Sequence, residues 1–203
     1  MKRHFRIVTA AIFGLLATVS PVLAKDKVPA KNPAQEAMMA AWMKNSAPGD
    51  SHGILAAAAG KWTHTSKFWS PFSPDPEVTQ GTDDMKMIFN GRYLQQDSKG
   101  TAMGQPFEGL GFTGYDNVRG EYQAIWMDNM SVEIMQCTGR YDAAAKVMTS
   151  TGTMSDPGTG KRDVPVRTVW RMPDNDNSVF EMYAPGPDGK EMKCMEIVYK
   201  RVK

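Results

Sequence analysis

The chain has 203 residues, with 24 Lys and Arg against 22 Asp and Glu, two cysteines and three histidines. Three of the positive charges fall within the first 24 residues, so the rest carries a net charge of about −1 and offers no electrostatic footprint for nucleic acid. What remains after that segment, about 180 residues, suits one domain of ordinary size.

Lys2, Arg3 and Arg6 precede a mostly apolar run from Ile7 to Val19, and Val22-Leu23-Ala24 fits a small-residue cleavage site. Residues 1–24 therefore read as a signal peptide cut after Ala24. The run is shorter than the roughly 20 apolar residues a membrane span needs. No cysteine follows to carry a lipid. The expectation is a periplasmic or secreted protein with no transmembrane segment once processed.

Residues 25–49 read as a linker and an amphipathic helix. Lys25 to Lys31 is polar and expected to be disordered. Asn32 is a good N-cap, Pro33 fits the first helical position and Gln35 stands where a capping box wants it. Met38, Met39, Trp42 and Met43 form an apolar stripe on a helix from Ala34 to Asn45. This helix is expected to lie across a barrel mouth with Trp42 buried. A second, short helix from Ser51 to Ala59 stops at Gly60.

From Lys61 onward the pattern is strands, about ten at short and regular spacing. Met85, Met87 and Phe89 alternate, and Asn90-Gly91 reads as a two-residue hairpin turn. Val164, Val166, Thr168, Trp170 and Met172 share one face while Arg167 and Arg171 share the other. The segment from Gly104 to Asp128 reads as two strands joined at Tyr115-Asp116-Asn117, with glycines inside the first. Glycine within a strand marks a bend or a close approach, as a curling sheet requires. Ten antiparallel strands leave two edges if open and none if closed. The fold class is therefore all-β, a single antiparallel up-and-down barrel spanning residues 50–203.

Several motifs resemble one family in combination. They are His52-x-x-Leu55, Gly60-x-Trp62, Gly91-Arg92-Tyr93-Leu94, the run GQPFEGLGFTGYDN from Gly104 and EMYAPGPDGKE from Glu181. Together they resemble a bacterial family catalogued as domain of unknown function 1579, over about Asp50 to Lys200. That family looks calycin-like, akin to lipocalins and fatty-acid-binding proteins. The resemblance implies structural closure by Gly60 and Trp62, with Lys200 or Arg201 packed near the indole. It also implies binding of a small apolar molecule. A calycin-like relative, nitrobindin, binds haem, but no histidine stands in the C-terminal strands here to match its proximal ligand.

Chemical motifs are sparse. Gly109-x-Gly111-x-x-Gly114 matches a dinucleotide pattern but sits in a strand that runs into a turn, where no helix can meet a pyrophosphate. Asp174 and Asp176 read as a hairpin turn, since the glycine and distal glutamate of a calcium loop are missing. The sixteen methionines raise Cu(I), with Met85-x-Met87 the nearest motif, but two residues on one strand face more simply line a barrel. Neither a metal nor another cofactor is expected. Cys137 and Cys194 either pair or serve as small buried hydrophobes.

The leading expectation is a binding protein for a small apolar or amphipathic molecule, accepting apolar fluorophores and fatty acids with little discrimination. Candidate ligand contacts are His64, Met85, Met87, Tyr122, Trp126, Trp170 and Tyr183. Gln95, Glu133, Glu181 and Glu196 are further polar candidates for a cavity lining, though strand parity alone does not say which of them face inward. The alternatives are a barrel enzyme using Glu133, Glu181 or His64, and a structural or assembly protein with a filled interior.

Overall fold

A computed structural model of the protein describes residues 32–203 except 71, 72 and 74. The expected signal peptide (residues 1–24) and the polar segment after it lie outside the described residues. Two helices, α1 (Pro33–Ser46) and α2 (Asp50–Ala58), precede ten strands. These are β1 (Gly60–Phe68), β2 (Glu77–Ile88), β3 (Tyr93–Ala102), β4 (Gln105–Asp116), β5 (Glu121–Asp128), β6 (Met135–Asp142), β7 (Val147–Asp156), β8 (Lys161–Arg171), β9 (Asn177–Pro185) and β10 (Glu191–Arg201). Each strand pairs antiparallel with its sequence neighbours, and β1 pairs with β10 to close the barrel. Closure leaves no unpaired strand edge. No helix among the described residues is long and apolar enough to cross a membrane.

Aspartates open many of the turns for a shared reason. Asp116 Oδ1 accepts from the N–H groups of Val118 and Arg119, and Asp128, Asp142, Asp156 and Asp174 repeat the device. Such a side chain imitates a backbone turn and fixes the direction of the returning strand. Asp174 and Asp176 thus belong to a hairpin turn. The Asn90-Gly91 turn is longer than the two residues expected. Phe89, Asn90 and Gly91 all have positive φ, and Arg92 N–H donates to the Ile88 carbonyl across the loop.

One end of the barrel is shut by α2. Leu55 is fully buried and packs with Ala58, Trp62, Met85, Leu94 and Tyr122. Burying a leucine side chain contributes about 1.5–3 kcal/mol. The Trp62 indole N–H donates to the Ala58 carbonyl at 2.9 Å, and the Arg201 guanidinium lies 4.1 Å from the Trp62 ring centre. Arg201 also donates to the carbonyls of Ala57 and Ala59 at 2.7 and 2.6 Å. Gly60, at φ +143°, supplies the space for that guanidinium, since a Cβ there would collide with Nη1.

The first helix departs from expectation. Its N-cap is as read, with Asn32 Oδ1 accepting from Ala34 N–H at 3.0 Å. None of its residues is buried, however, and Trp42 is 62% exposed. Its C-terminal carbonyls are held by Arg92 and Asn117 in the turns at the shut end. It therefore does not lie across the mouth. Apolar spacing alone did not decide its environment, because the neighbouring turn residues grip its backbone end and leave the stripe uncovered.

Candidate functional site

Inward side chains alternate along every strand, and above the Trp62 floor they do not meet. They leave a cavity of about 290 Å³, at the low end of the range for small-molecule sites. Its mouth, opposite α2, is framed by Phe68, Met103, Phe107, Asp128 and Met130. Met85, Leu94, Met148, Trp170, Phe180 and Ile197 make most of the wall apolar.

The glycines of β4 shape one side. A Cβ on Gly109 would stand 2.7 Å from Trp126 Cη2, and one on Gly111 would stand 3.0 Å from Cε3. The indole therefore lies flat on bare backbone, stacked with Phe107 at 6.4 Å, and its N–H donates to Asp128 at 2.9 Å. This disposes of the dinucleotide pattern, whose glycines accommodate a ring of the protein itself.

A compact polar group stands one inward step above Trp62. On β1, His64 lies opposite Tyr199 of β10 and Gly81 of β2. His64 Nδ1 is 2.5 Å from Asp83 Oδ2, and the Asp83 side chain has no exposed surface. Gln96 Nε2 donates to Asp83 Oδ1 at 2.8 Å and to the Tyr199 hydroxyl at 3.4 Å. Tyr199 meets the imidazole edge-on, ring centres 5.7 Å apart. Burial, and secondarily the Asp83 charge, push the Tyr199 hydroxyl far above its ordinary pKa, so it stays protonated. His64, Gln96 and Tyr199 reach the cavity wall, while Asp83 sits behind them. Paired through Nδ1 with a carboxylate, a neutral imidazole carries its proton there and presents Nε2 as an acceptor. Gly81 lets the imidazole lie against its backbone, since a Cβ there would stand 2.6 Å from Cε1 and closer still to Nε2. Buried hydroxyls of Ser66, Ser98, Ser150 and Thr168 line the same cavity.

His64, Met85, Tyr122, Trp126 and Trp170 are thus brought to one cavity. Tyr122 donates to the Ser51 carbonyl at 3.0 Å, which ties the wall to α2. Met87 packs in the core around Trp62 and does not line the cavity. Tyr183 stands on the outer face beneath the Arg167 guanidinium, 4.0 Å from its ring centre. Its register opposite Arg167 dictates this, because paired residues share a sheet face.

The carboxylates offered as candidates for the cavity stand elsewhere. Glu133 accepts from Ser155 N–H at 2.7 Å in a loop between strands. Glu181 pairs with Arg171 and Lys193, and Glu196 with Lys193 and Lys67. Gln95 bonds Asp97, its neighbour on that strand face. His52 is buried in α2, where its Nδ1 accepts from Gly49 N–H at 3.0 Å and caps the helix. Burial first and Arg92 second hold its pKa below the usual value. Cys137 and Cys194 are free thiols in one apolar cluster with Val166 and Ala184, and burial raises both pKa values.

The buried indole N–H of Trp170 has no hydrogen-bond partner among the described residues. Such atoms are rare in folded proteins, and this one leaves a donor free beside the cavity. No group of three or more His, Cys, Asp or Glu side chains suited to a metal ion occurs among the described residues.

Residues 47–201 match the model of the family described as "Protein of unknown function (DUF1579)", and the chain belongs to that family. No curated protein matches it. Among solved structures, Rv2717c from M. tuberculosis is similar at 13% identity with a TM-score of 0.60, over 77% of this chain and 100% of that one. That likeness is one of fold. A redesigned beta barrel matches over 74% of this chain and 96% of its own, at 14% identity and a TM-score of 0.37.

Proposed function

For this member of the DUF1579 family, we propose that the barrel binds a small amphipathic molecule, in the compartment to which the N-terminal signal directs it. The observation that carries this reading is the cavity of about 290 Å³, apolar along its wall and polar at its inner end. A mostly apolar pocket with a few convergent polar groups is the usual form of a small-molecule site. The test uses the neutral fluorophore N-phenyl-1-naphthylamine, whose emission rises in an apolar site. Saturable, stoichiometric binding is expected, abolished by Ser150→Phe or Thr168→Leu, which fill the cavity. Binding that survives in both folded variants would place the probe elsewhere and defeat the reading.

A second reading, a barrel enzyme, is favoured by the contact between His64 and Asp83. A carboxylate that fixes the tautomer of an imidazole prepares it as a general base. Hydrolysis of 4-nitrophenyl acetate above the solution rate, lost in His64→Phe, would support it. Equal rates for the two proteins would leave binding alone.

A further inference from the structure

The polar end of the cavity has a definite hydrogen-bonding sense. Nδ1 of His64 is committed to Asp83, and in the neutral imidazole Nε2 then offers a lone pair. Tyr199, whose ring meets the imidazole edge-on, accepts at its hydroxyl from Gln96 and keeps its own proton to give. Charge narrows the choice further. Among the described residues lining the cavity there is no lysine or arginine, and the one carboxylate is Asp128, at the mouth. Asp83 stands directly behind His64 with its side chain fully buried. A carboxylate brought to Nε2 would face that second buried anion with a single imidazole between them, and an uncompensated buried charge is costly. A hydroxyl meets neither difficulty. Its O–H donates to Nε2 while its oxygen accepts from Tyr199.

From this we infer that the molecule bound here carries an uncharged hydrogen-bond-donating head, of the aliphatic alcohol class. The head sits at His64 Nε2 and the chain points along the methionine and tryptophan wall toward Met103 and Met130. Fatty-acid anions, which apolar lining alone would admit, are disfavoured. The inference rests on the binding reading above and supplies its ligand class.

The test is competition against bound N-phenyl-1-naphthylamine by nonan-1-ol and its isomer methyl octyl ether. They have the same atoms and differ in the O–H donor. The alcohol is expected to bind about tenfold more tightly, the value of one net hydrogen bond. In His64→Phe, or in His64→Leu should the first fail to fold, the two isomers should become equal. Nonanoate at pH 8 is the second arm. Its affinity relative to the alcohol should rise about tenfold in Asp83→Asn, which removes the buried negative charge. Equal binding of alcohol and ether by the native protein would overturn the inference and leave the cavity reading standing. So would a nonanoate-to-alcohol ratio unmoved by Asp83→Asn. Failure of the fluorophore itself to bind the native protein would remove the cavity reading and the inference together.

Discussion

Trp126 lies over Gly111, so close that a methyl group on that glycine would stand 3.0 Å from Cε3 of the indole. Together with Gly109 this makes bare backbone part of the packing of the cavity wall. Gly109→Ala should push the ring off the strand and into the cavity, costing about 1–3 kcal/mol, as overpacking does. Near-UV circular dichroism and urea denaturation read the two effects. An unchanged spectrum with unchanged stability would show that the ring is not held there.

The floor should behave as a structural unit. Trp62 is 3% exposed and sandwiched between α2 and Arg201. Trp62→Ala should cost about 3–5 kcal/mol, as large core truncations do. Arg201→Lys should not restore what Arg201→Ala loses, because one ammonium cannot reach Ala57 and Ala59 while covering the indole. A Trp62→Ala variant that keeps its denaturation midpoint but loses the fluorophore would move the indole from the floor to the site.

Acid should weaken the fold through its turns. Asp116 and Asp174 titrate below the ordinary carboxylate value chiefly because backbone N–H groups bond the ionised form, and Asp156 chiefly because the Thr159 hydroxyl does. Glu191 is lowered first by its hydrogen bond from Arg167. Each folded pKa lies below the unfolded value of about 4, so the unfolded chain takes up protons first as the pH falls. The stabilisation is complete above that value and is lost as the pH drops through the folded ones. Urea midpoints should begin to ease below about pH 6.5, where burial disfavours the charged form of His52, and decline further below about pH 4. A midpoint that rises on acidification would contradict this.

The first helix should be dispensable to the barrel. It has no buried residue and touches the turns through carbonyls at its C-terminal end. Deleting residues before Ala47 should change stability by less than about 0.5 kcal/mol. In the full chain, Trp42→Phe should remove the tryptophan emission most open to acrylamide. A large fall in the denaturation midpoint on deletion would show that the helix packs on the barrel after all.

The barrel was legible in the sequence because its two codes agree. Alternation in Val164 to Met172 named the inward face, and the β4 glycines announced a close approach. The site was only half legible. His64 and Trp126 were visible as inward residues among aromatics, but Asp83 and Gln96 were not singled out. Asp83 shares parity with Met85, and Gln96 with Leu94, so the signal existed. It was hidden because an acidic or amide side chain on a strand is ordinarily solvated, and only the pairing of β2 with β1 and β3 makes this one worth burying. Tyr183 failed in the opposite sense. An aromatic residue reads as interior, yet an arginine on the adjacent strand covers it from outside.

The most direct test of the account is the position of a bromine atom. Crystals of the protein grown with 9-bromononan-1-ol should show anomalous density inside the barrel toward Met103 and Met130, with the hydroxyl within hydrogen-bond distance of His64 Nε2. Bromine beside His64 with the hydroxyl at the mouth, or bromine outside the barrel altogether, would contradict it.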